Sequence, residues 1–339
     1  MKKERRATII DVGRHAGVSA KTVSRVFNAE PHVTEALRER VYAAAKELNY
    51  HPNMMARALV RQRSHLIGLV YENPSPSYVT ELQMGVLQRL RDERYQLVVL
   101  PVTSIAERAG EVVGLLRSAA LDGVVLAPPA SDHAGILADL AAAGIRCARI
   151  APTRLLDAAP GNTVDDVTAA REIAEHLIGL GHRDIAIIKG DPTHASSEAR
   201  LLGYSQAFFG AGLPMRLDRI EPGDYTRESG HAAAVRMLDG GDRPTAILAQ
   251  NDEMAVGALI AARERGIGVP EQLSIVGFDD SDIAGIALPA LTTVRQPVFE
   301  MAVEAADMVI AQLEGAPFAR LSAHRHRLMI RQSSAPPPS

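Results

Sequence analysis

The chain has 339 residues, 47% hydrophobic and 23% charged, with a formal net charge of −3, one cysteine and no tryptophan. That length calls for more than one domain, with a sizeable core in the larger part. The lone Cys147 excludes an intrachain disulfide and a cysteine-cluster metal site and suits a reducing cytoplasm, while the absence of an apolar signal core in MKKERRATII and of any 18-residue apolar run argues against secretion and a membrane span.

Three short helices are expected over the first 50 residues. Ile9, Val12 and Ala16 are spaced three and four apart and share one face. Gly17 stands where a tight turn between helices needs a residue without Cβ. Ser19 is a suitable N-cap for the second helix, because its hydroxyl can accept from an orphan backbone N–H. Val23, Val26 and Phe27 form that helix's buried side, and Lys21 and Arg25, four apart, project from the opposite one. A third helix fits residues 34–48, with Thr34 as N-cap and Leu37, Val41, Ala44, Ala45 and Leu48 facing inward. A short helix with a bare Lys/Arg face suits the major groove of DNA, where arginine pairs with guanine O6 and N7. The competing reading of Lys21 and Arg25 is a solvated face. Charge distribution weighs against it: residues 1–63 hold 13 Lys/Arg against 6 Asp/Glu, and the remaining 276 hold 24 against 34. A basic head on an acidic body is the footprint of a nucleic-acid binder.

The order TIIDVGRHAGVSAKTVSRVFN, followed by RERV and LNYHPN, resembles the lactose/galactose-repressor family of bacterial transcription regulators. The resemblance implies that Ala20, Lys21 and Arg25 read bases. It implies that Ser19, Thr22, Asn28, Thr34, Tyr50 and Asn53 contact phosphates or anchor a hinge; such contacts set register, whereas base contacts set sequence. Ala20 is small where many members carry a larger reader. Residues 53–59 resemble the family's hinge helix, which is too short to be stable alone. It is expected to fold only beside its dimer mate on DNA, with Leu59 as the wedge that enters the minor groove and kinks it. The alternative is that Met54, Met55 and Leu59 begin the next core; the polar Arg61, Gln62, Arg63 and Ser64 favour the hinge. The expected organisation is a helix-turn-helix domain at 1–52, a hinge and linker at 53–64, a core at 65–332 and an unstructured tail, SSAPPPS, at 333–339.

From Leu66 onward, short apolar runs alternate with amphipathic stretches. The runs cover 66–72, 96–102, 122–129, 146–152, 184–190, 219–225, 245–252 and 273–280. Helical stretches lie at 78–93, 106–119, 132–143, 166–180, 196–211, 226–239 and 252–265. This alternation indicates parallel sheets covered on both faces. Eight strands in two groups of four read as two doubly wound subdomains, although one eight-unit barrel also fits the count. The resemblance favours paired subdomains of the periplasmic-binding-protein type, crossed three times by the chain. Subdomain 1 then spans about 65–165 and 297–320, and subdomain 2 about 166–296 and 321–332. Cys147 is expected as a small buried strand residue.

In open parallel sheets, ligands bind beyond the carboxyl ends of the strands. Asn251, Asp252, Asp279 and Asp280 gather at such ends. The resemblance carries effector contacts onto Ser77, Tyr78, Asp166, Arg200, Tyr225, Asn251 and Asp279. Vicinal hydroxyls of a sugar can donate to a carboxylate and accept from a guanidinium, a carboxamide can do both, and an aromatic ring can cover a sugar's C–H face. The competing readings are helix capping for Asp279 or Asp280 and a surface ion pair for Arg200. Asp252 is expected to cap the following helix. His324 and His326, two apart in a strand-like run, are expected on one face without a third metal ligand. GxxxxGK[ST], HExxH and GxSxG are all missing, and GIG at 266–268 is a helix-end glycine. No cofactor, metal or catalytic residue is expected.

The leading expectation is a cytoplasmic homodimeric repressor of carbohydrate catabolism on a pseudo-palindromic operator in double-stranded DNA, released by a sugar or glycoside. A corepressor such as a purine, tightening DNA binding, is the alternative. A solute-binding protein has the same cleft but neither the basic head nor the missing signal sequence. The C-terminal HRLMIRQSSAPPPS carries no apolar heptads, which favours a dimer over a tetramer.

Overall fold

The computed structural model describes residues 7–27, 31–50, 63–72 and 75–338. The expected phosphate contacts Asn28 and Asn53 and the wedge Leu59 lie outside them. The chain divides into two compact units, Met1–Ser64 and His65–Ser339.

In the first unit, α1 (Ile9–Ala16), α2 (Ala20–Phe27) and α3 (Glu35–Glu47) surround a core of Val12, Ala16, Val23, Val26, Val41, Ala44 and Ala45. Thr8 and Asp11 form a reciprocal capping box at the start of α1. Gly17 closes α1 with φ +67°, the left-handed conformation that favours glycine. Ser19 Oγ accepts from Thr22 N at 3.1 Å and so caps α2. Thr34 occupies the N-cap position of α3, yet its side chain makes no cap bond. Phe27 meets Tyr42 edge-on and Tyr50 at a tilt, with centroids 5.5 and 5.9 Å apart.

The second unit holds two parallel sheets. The first orders its strands β2 (Gln96–Pro101), β1 (Leu66–Tyr71), β3 (Gly123–Leu126), β4 (Arg146–Ile150), β5 (Gly161–Val164) and β11 (Leu321–His324). The second orders β7 (Ile220–Pro222), β6 (Ile185–Lys189), β8 (Ala246–Ala249) and β9 (Ser274–Val276). A side pair, β10 (Thr293–Arg295) with β12 (Arg327–Met329), runs antiparallel. Side chains alternate across each strand. Val124 and Leu126 therefore enter the layer under α5 (Ile105–Ser118) and α6 (Ala134–Ala143), while Val125 enters the layer under α4 (Pro76–Leu90) and α12 (Val298–Glu314). In the second sheet, Ala246 and Leu248 face α7 (Asp166–Gly179) and α8 (Ala195–Gly210). Ile247 and Ala249 face α9 (Arg227–Leu238) and α10 (Asp252–Glu264). Each fully buried Leu, Ile or Val contributes about 1.5–3 kcal/mol, so two filled layers per sheet hold the doubly wound architecture together. Cys147 is buried on β4, and burial pushes its thiol up to about 11.

Three expectations need correction. The strands β5, β10, β11 and β12 did not register as apolar runs, because GNTV, TVR, LSAH and RLM are short and partly polar. Leu321–His324 pairs with β5 in the first sheet, so that segment belongs to subdomain 1, not subdomain 2. The last passage between sheets falls after His324. This also separates the two histidines: His324 Nε2 meets Glu304 at 2.7 Å and His326 Nε2 meets Glu172 at 2.8 Å, on helices of different subdomains. Finally, residues 333–335 of the tail are docked. Ser333 is fully buried and exchanges bonds with Ile275, through Ile275 N to Ser333 O at 2.9 Å and Ser333 Oγ to Ile275 O at 2.5 Å. Ala335 N donates to Ser274 Oγ at 3.0 Å. Composition flagged this segment as disordered because it lacks apolar side chains; it is held instead through its backbone against the edge of β9.

Candidate functional site

A narrow cleft lies beyond the carboxyl ends of the strands, with a cavity volume of about 40 Å³, room for roughly three water molecules. Six of the seven expected effector residues line it: Tyr78, Asp166, Arg200, Tyr225, Asn251 and Asp279. Ser77 does not. Its hydroxyl turns to Glu253 Oε1 at 3.4 Å, and Ser75, the N-cap of α4, reaches the lining in its place.

Arg200 is the centre of the arrangement. Gly203 sits three residues on, and a Cβ there would lie 2.3 Å from Val167 O. Only glycine lets α8 come this close to the first turn of α7, and that approach delivers Arg200 to Asp166. Its Nε donates to Asp166 Oδ1 at 2.9 Å, one terminal nitrogen donates to Gln250 O, and the other lies 3.7 Å from Asp279 Oδ1. The guanidinium stacks 3.8 Å over the centroid of the Phe278 ring. Arg200 is 5% exposed, which rules out a surface ion pair. Burial opposes its charge, but Asp166 and Asp279 outweigh burial and keep the group protonated beyond its ordinary range.

Asp279 is pushed up to about 6, by burial first, with Arg200 opposing. Its backbone adopts φ +113°, and its Oδ1 accepts from Gln296 Nε2 at 2.7 Å. Neither Asp279 nor Asp280 caps a helix: Ser281 is the N-cap of α11 (Asp282–Ile286), and Asp280 pairs with Arg331. The capping roles at α10 are also the reverse of expectation. Asn251 is the cap, its Oδ1 accepting from Met254 N at 2.9 Å, while its Nδ2 donates to Tyr225 O at 2.9 Å. Asp252 instead ties Ser281 N (2.8 Å) and Thr293 Oγ1 (2.6 Å) to the end of β8, outside the cleft lining. Tyr225 takes φ +68°, and a Cβ on Gly190 would lie 2.2 Å from its ring. That glycine therefore makes room for the aromatic wall.

Sequence reasoning missed Asp132, Thr153, His194, Ser196 and Gln296, all of which line the cleft. Thr153 follows the fourth apolar run directly, so the strand-end rule applied one residue further finds it. His194 is the N-cap of the helix that carries Arg200, and Ser196 lies in its first turn. His194 meets Tyr225 edge-on at 5.2 Å. Burial pulls its pKa down to about 4, with Asp191 opposing, so the ring is neutral at pH 7.

These shifts set opposite stability slopes. Asp279, raised to about 6, stabilises the fold below the ordinary carboxylate pKa, and that contribution is lost as pH rises through about 6. His194, lowered to about 4, gives a contribution present above the ordinary imidazole pKa and lost as pH falls through about 4. Asp279→Asn should therefore gain stability relative to the parent between about pH 4 and 6 and hold a constant difference above pH 7. Urea unfolding across that range measures it; a pH-independent difference would refute the assignment.

Comparison with known proteins gives a consistent result for both units. Residues 8–53 match the family model "Bacterial regulatory proteins, lacI family", and residues 174–334 match "Periplasmic binding protein-like domain". The transcriptional regulator DegA of Bacillus subtilis (strain 168) is 36% identical over 301 residues, 88% of this chain and 89% of that protein. The structure of the lac repressor dimer bound to operator and the anti-inducer ONPF superposes with a TM-score of 0.86 at 28% identity, covering 98% of this chain and all of that one. The complex of the regulator CelR with cellobiose gives 0.72 at 30% identity, covering 97% and 100%. Head and core thus both match these relatives, and the chain belongs to the lacI family of bacterial regulatory proteins, ligand-responsive helix-turn-helix transcription regulators on a periplasmic-binding-protein-like core.

Proposed function

We propose that this protein is a cytoplasmic homodimeric repressor, held on a pseudo-palindromic operator and released by a neutral sugar or glycoside. The observation that carries the reading is the buried Arg200–Asp166–Asp279 cluster in the cleft between the two subdomains of the core. Carboxylates outnumber the one guanidinium there, and His194 is uncharged, so the cleft favours a hydroxyl-rich neutral molecule over a phosphate or a sugar acid. The ONPF and cellobiose complexes of similar proteins support the class. Effector binding changes the relation of the two subdomains, and that change alters operator affinity. No catalytic step is assigned to any residue.

In the head, Ala20, Lys21 and Arg25 are the base-reading positions, and Ser19, Thr22, Thr34 and Tyr50 set register on phosphates. Lys21 and Arg25 are exposed on α2, as this role requires. Two experiments test the reading. Arg25→Ala should weaken specific binding by roughly 1–3 kcal/mol and relax selectivity at one base pair per half-site; gel retardation on operator variants reads this, and an unchanged preference refutes the role. Melting of the protein against free sugars, sugar phosphates and purines tests the effector, because a tight ligand raises the melting point by mass action. A neutral sugar hit that also releases operator supports the proposal, and a purine hit that tightens operator binding replaces it.

A further inference from the structure

Among the described residues Arg149 heads the fully buried side chains by size, at 0% exposure. It stands on β4, directly beneath the first-subdomain wall of the cleft. Among the described residues no carboxylate forms an ion pair with it. Its guanidinium donates instead to four backbone carbonyls: Ser131 O and Arg154 O at 3.0 Å, Leu155 O at 2.8 Å and Leu156 O at 3.2 Å. Its Nε meets no protein acceptor. A guanidinium buried without a direct ion pair is costly, and burial pulls its pKa down, with the charge of Asp132 opposing. An apolar residue would fill β4 without that burial cost but would leave four loop carbonyls without this donor, so what the arginine supplies is the hold on those loops.

The four carbonyls belong to two loops, 128–133 after β3 and 151–158 after β4. Asp132 joins the same loops from the outer side. Its Oδ1 accepts from Thr153 N at 2.9 Å and Arg154 N at 3.0 Å, and its Oδ2 accepts from Thr153 Oγ1 at 2.7 Å. Ala151 and Leu155 sit at φ +46° and +51°, a conformation that L-residues hold only when surrounding structure imposes it. These loops supply Pro128, Asp132, Ala151 and Thr153 to the cleft.

We propose that Arg149 is the positioning residue of the effector cleft, clamping both wall loops through their carbonyls so that Thr153 is presented to the ligand. Asp132 lines the cleft but its carboxylate is occupied by the 153–154 backbone and the Thr153 hydroxyl. Because that hydroxyl donates to Asp132, Thr153 offers its lone pairs to the cleft. At this point the first-subdomain wall therefore presents an acceptor that selects a ligand hydroxyl. This specificity reading rests on the neutral-sugar effector proposed above.

The test uses the full-length protein, Arg149→Met, and two probes, D-glucose and cellobiose. Hydrogen exchange should rise at least tenfold at the Thr153 and Arg154 amides and stay within twofold at Val124–Leu126. Affinity for whichever probe binds the parent, measured by calorimetry, should fall at least tenfold. Exchange rising equally through the sheet would make Arg149 a core residue only and overturn the proposal, as would unchanged exchange in the loop. If neither probe binds the parent, those two sugars are eliminated as effectors, while exchange at Thr153 and Arg154 still decides the role of Arg149. Should Arg149→Met not fold, Arg149→Lys, which keeps the charge but not the fork that spans four carbonyls, is expected to give the same local exchange pattern with Val124–Leu126 protected; protection at Thr153 equal to the parent's would overturn the clamp.

Discussion

Arg200→Ala is expected to abolish the response of operator binding to effector while leaving effector-free DNA binding intact. The side chain is 5% exposed and holds Asp166, the Gln250 carbonyl and the neighbourhood of Asp279 in one cluster. Removing it strands two buried carboxylates, which costs about 3–5 kcal/mol. Part of that loss is relieved when Asp279 takes up a proton, and its pKa, already raised to about 6, rises further without Arg200. Arg200→Lys separates charge from geometry. Lysine restores a positive charge but neither the fork nor the flat stack on Phe278, so the effector response should stay lost while much of the stability returns. Operator retardation with and without the effector, beside urea unfolding, reads both. A variant that keeps its effector response but loses operator binding would show that the cleft has been misassigned.

Gly203→Val is the second large effect, and it acts without touching the ligand. The new Cβ would stand 2.3 Å from Val167 O and 2.8 Å from the Ala170 Cβ. Both obstacles are fixed to the body of α7, so neither can swing aside. The two helices must separate, at a cost near the upper end of the roughly 1–3 kcal/mol typical of overpacking. The separation pulls Arg200 away from Asp166, so effector affinity should fall together with the melting temperature. Gly114→Ala is the matched control. It lies inside α5 with nothing within 4 Å of a Cβ, and should stabilise by about 0.5–1 kcal/mol. Equal effects from the two substitutions would rule out the close-approach argument.

Much of the head and of the cleft was legible in the sequence, for identifiable reasons. The head is built from local signals. Gly17 at a positive φ, Ser19 as a cap and Val23 and Val26 on one helical face each depend on residues within a turn or two. The central strands of both sheets are apolar runs because both of their faces are covered; Asn251 and Asp279 follow from the strand-end rule, whereas the other cleft residues came from the family resemblance. Arg200 was visible through its position relative to Gly203, a glycine whose reason turned out to be a helix contact 36 residues back in the chain.

What the sequence did not reveal depends on partners far away along it. Leu321–His324 looks like any short semi-polar segment; pairing with β5, some 160 residues earlier, makes it a strand of the first sheet. The tail residues Ser333 and Ala335 carry no apolar signal and dock through backbone bonds to β9. Ser77 and Ser75 differ by half a helical turn at the start of α4, and only the packed orientation of that helix decides which one reaches the cleft. Asn251 rather than Asp252 caps α10 because Ser281, in the turn after β9, and Thr293, on β10, engage the Asp252 carboxylate instead. Arg149 was read as part of an apolar strand; its function lies in four carbonyls that share no pattern in sequence. Local periodicity and capping are set by neighbours in the chain, so the sequence alone determined the helices, the central strands and the family of the fold. Hydrogen bonds to backbone carbonyls and the choice of wall residues depend on where distant segments meet, and only the tertiary structure decided them.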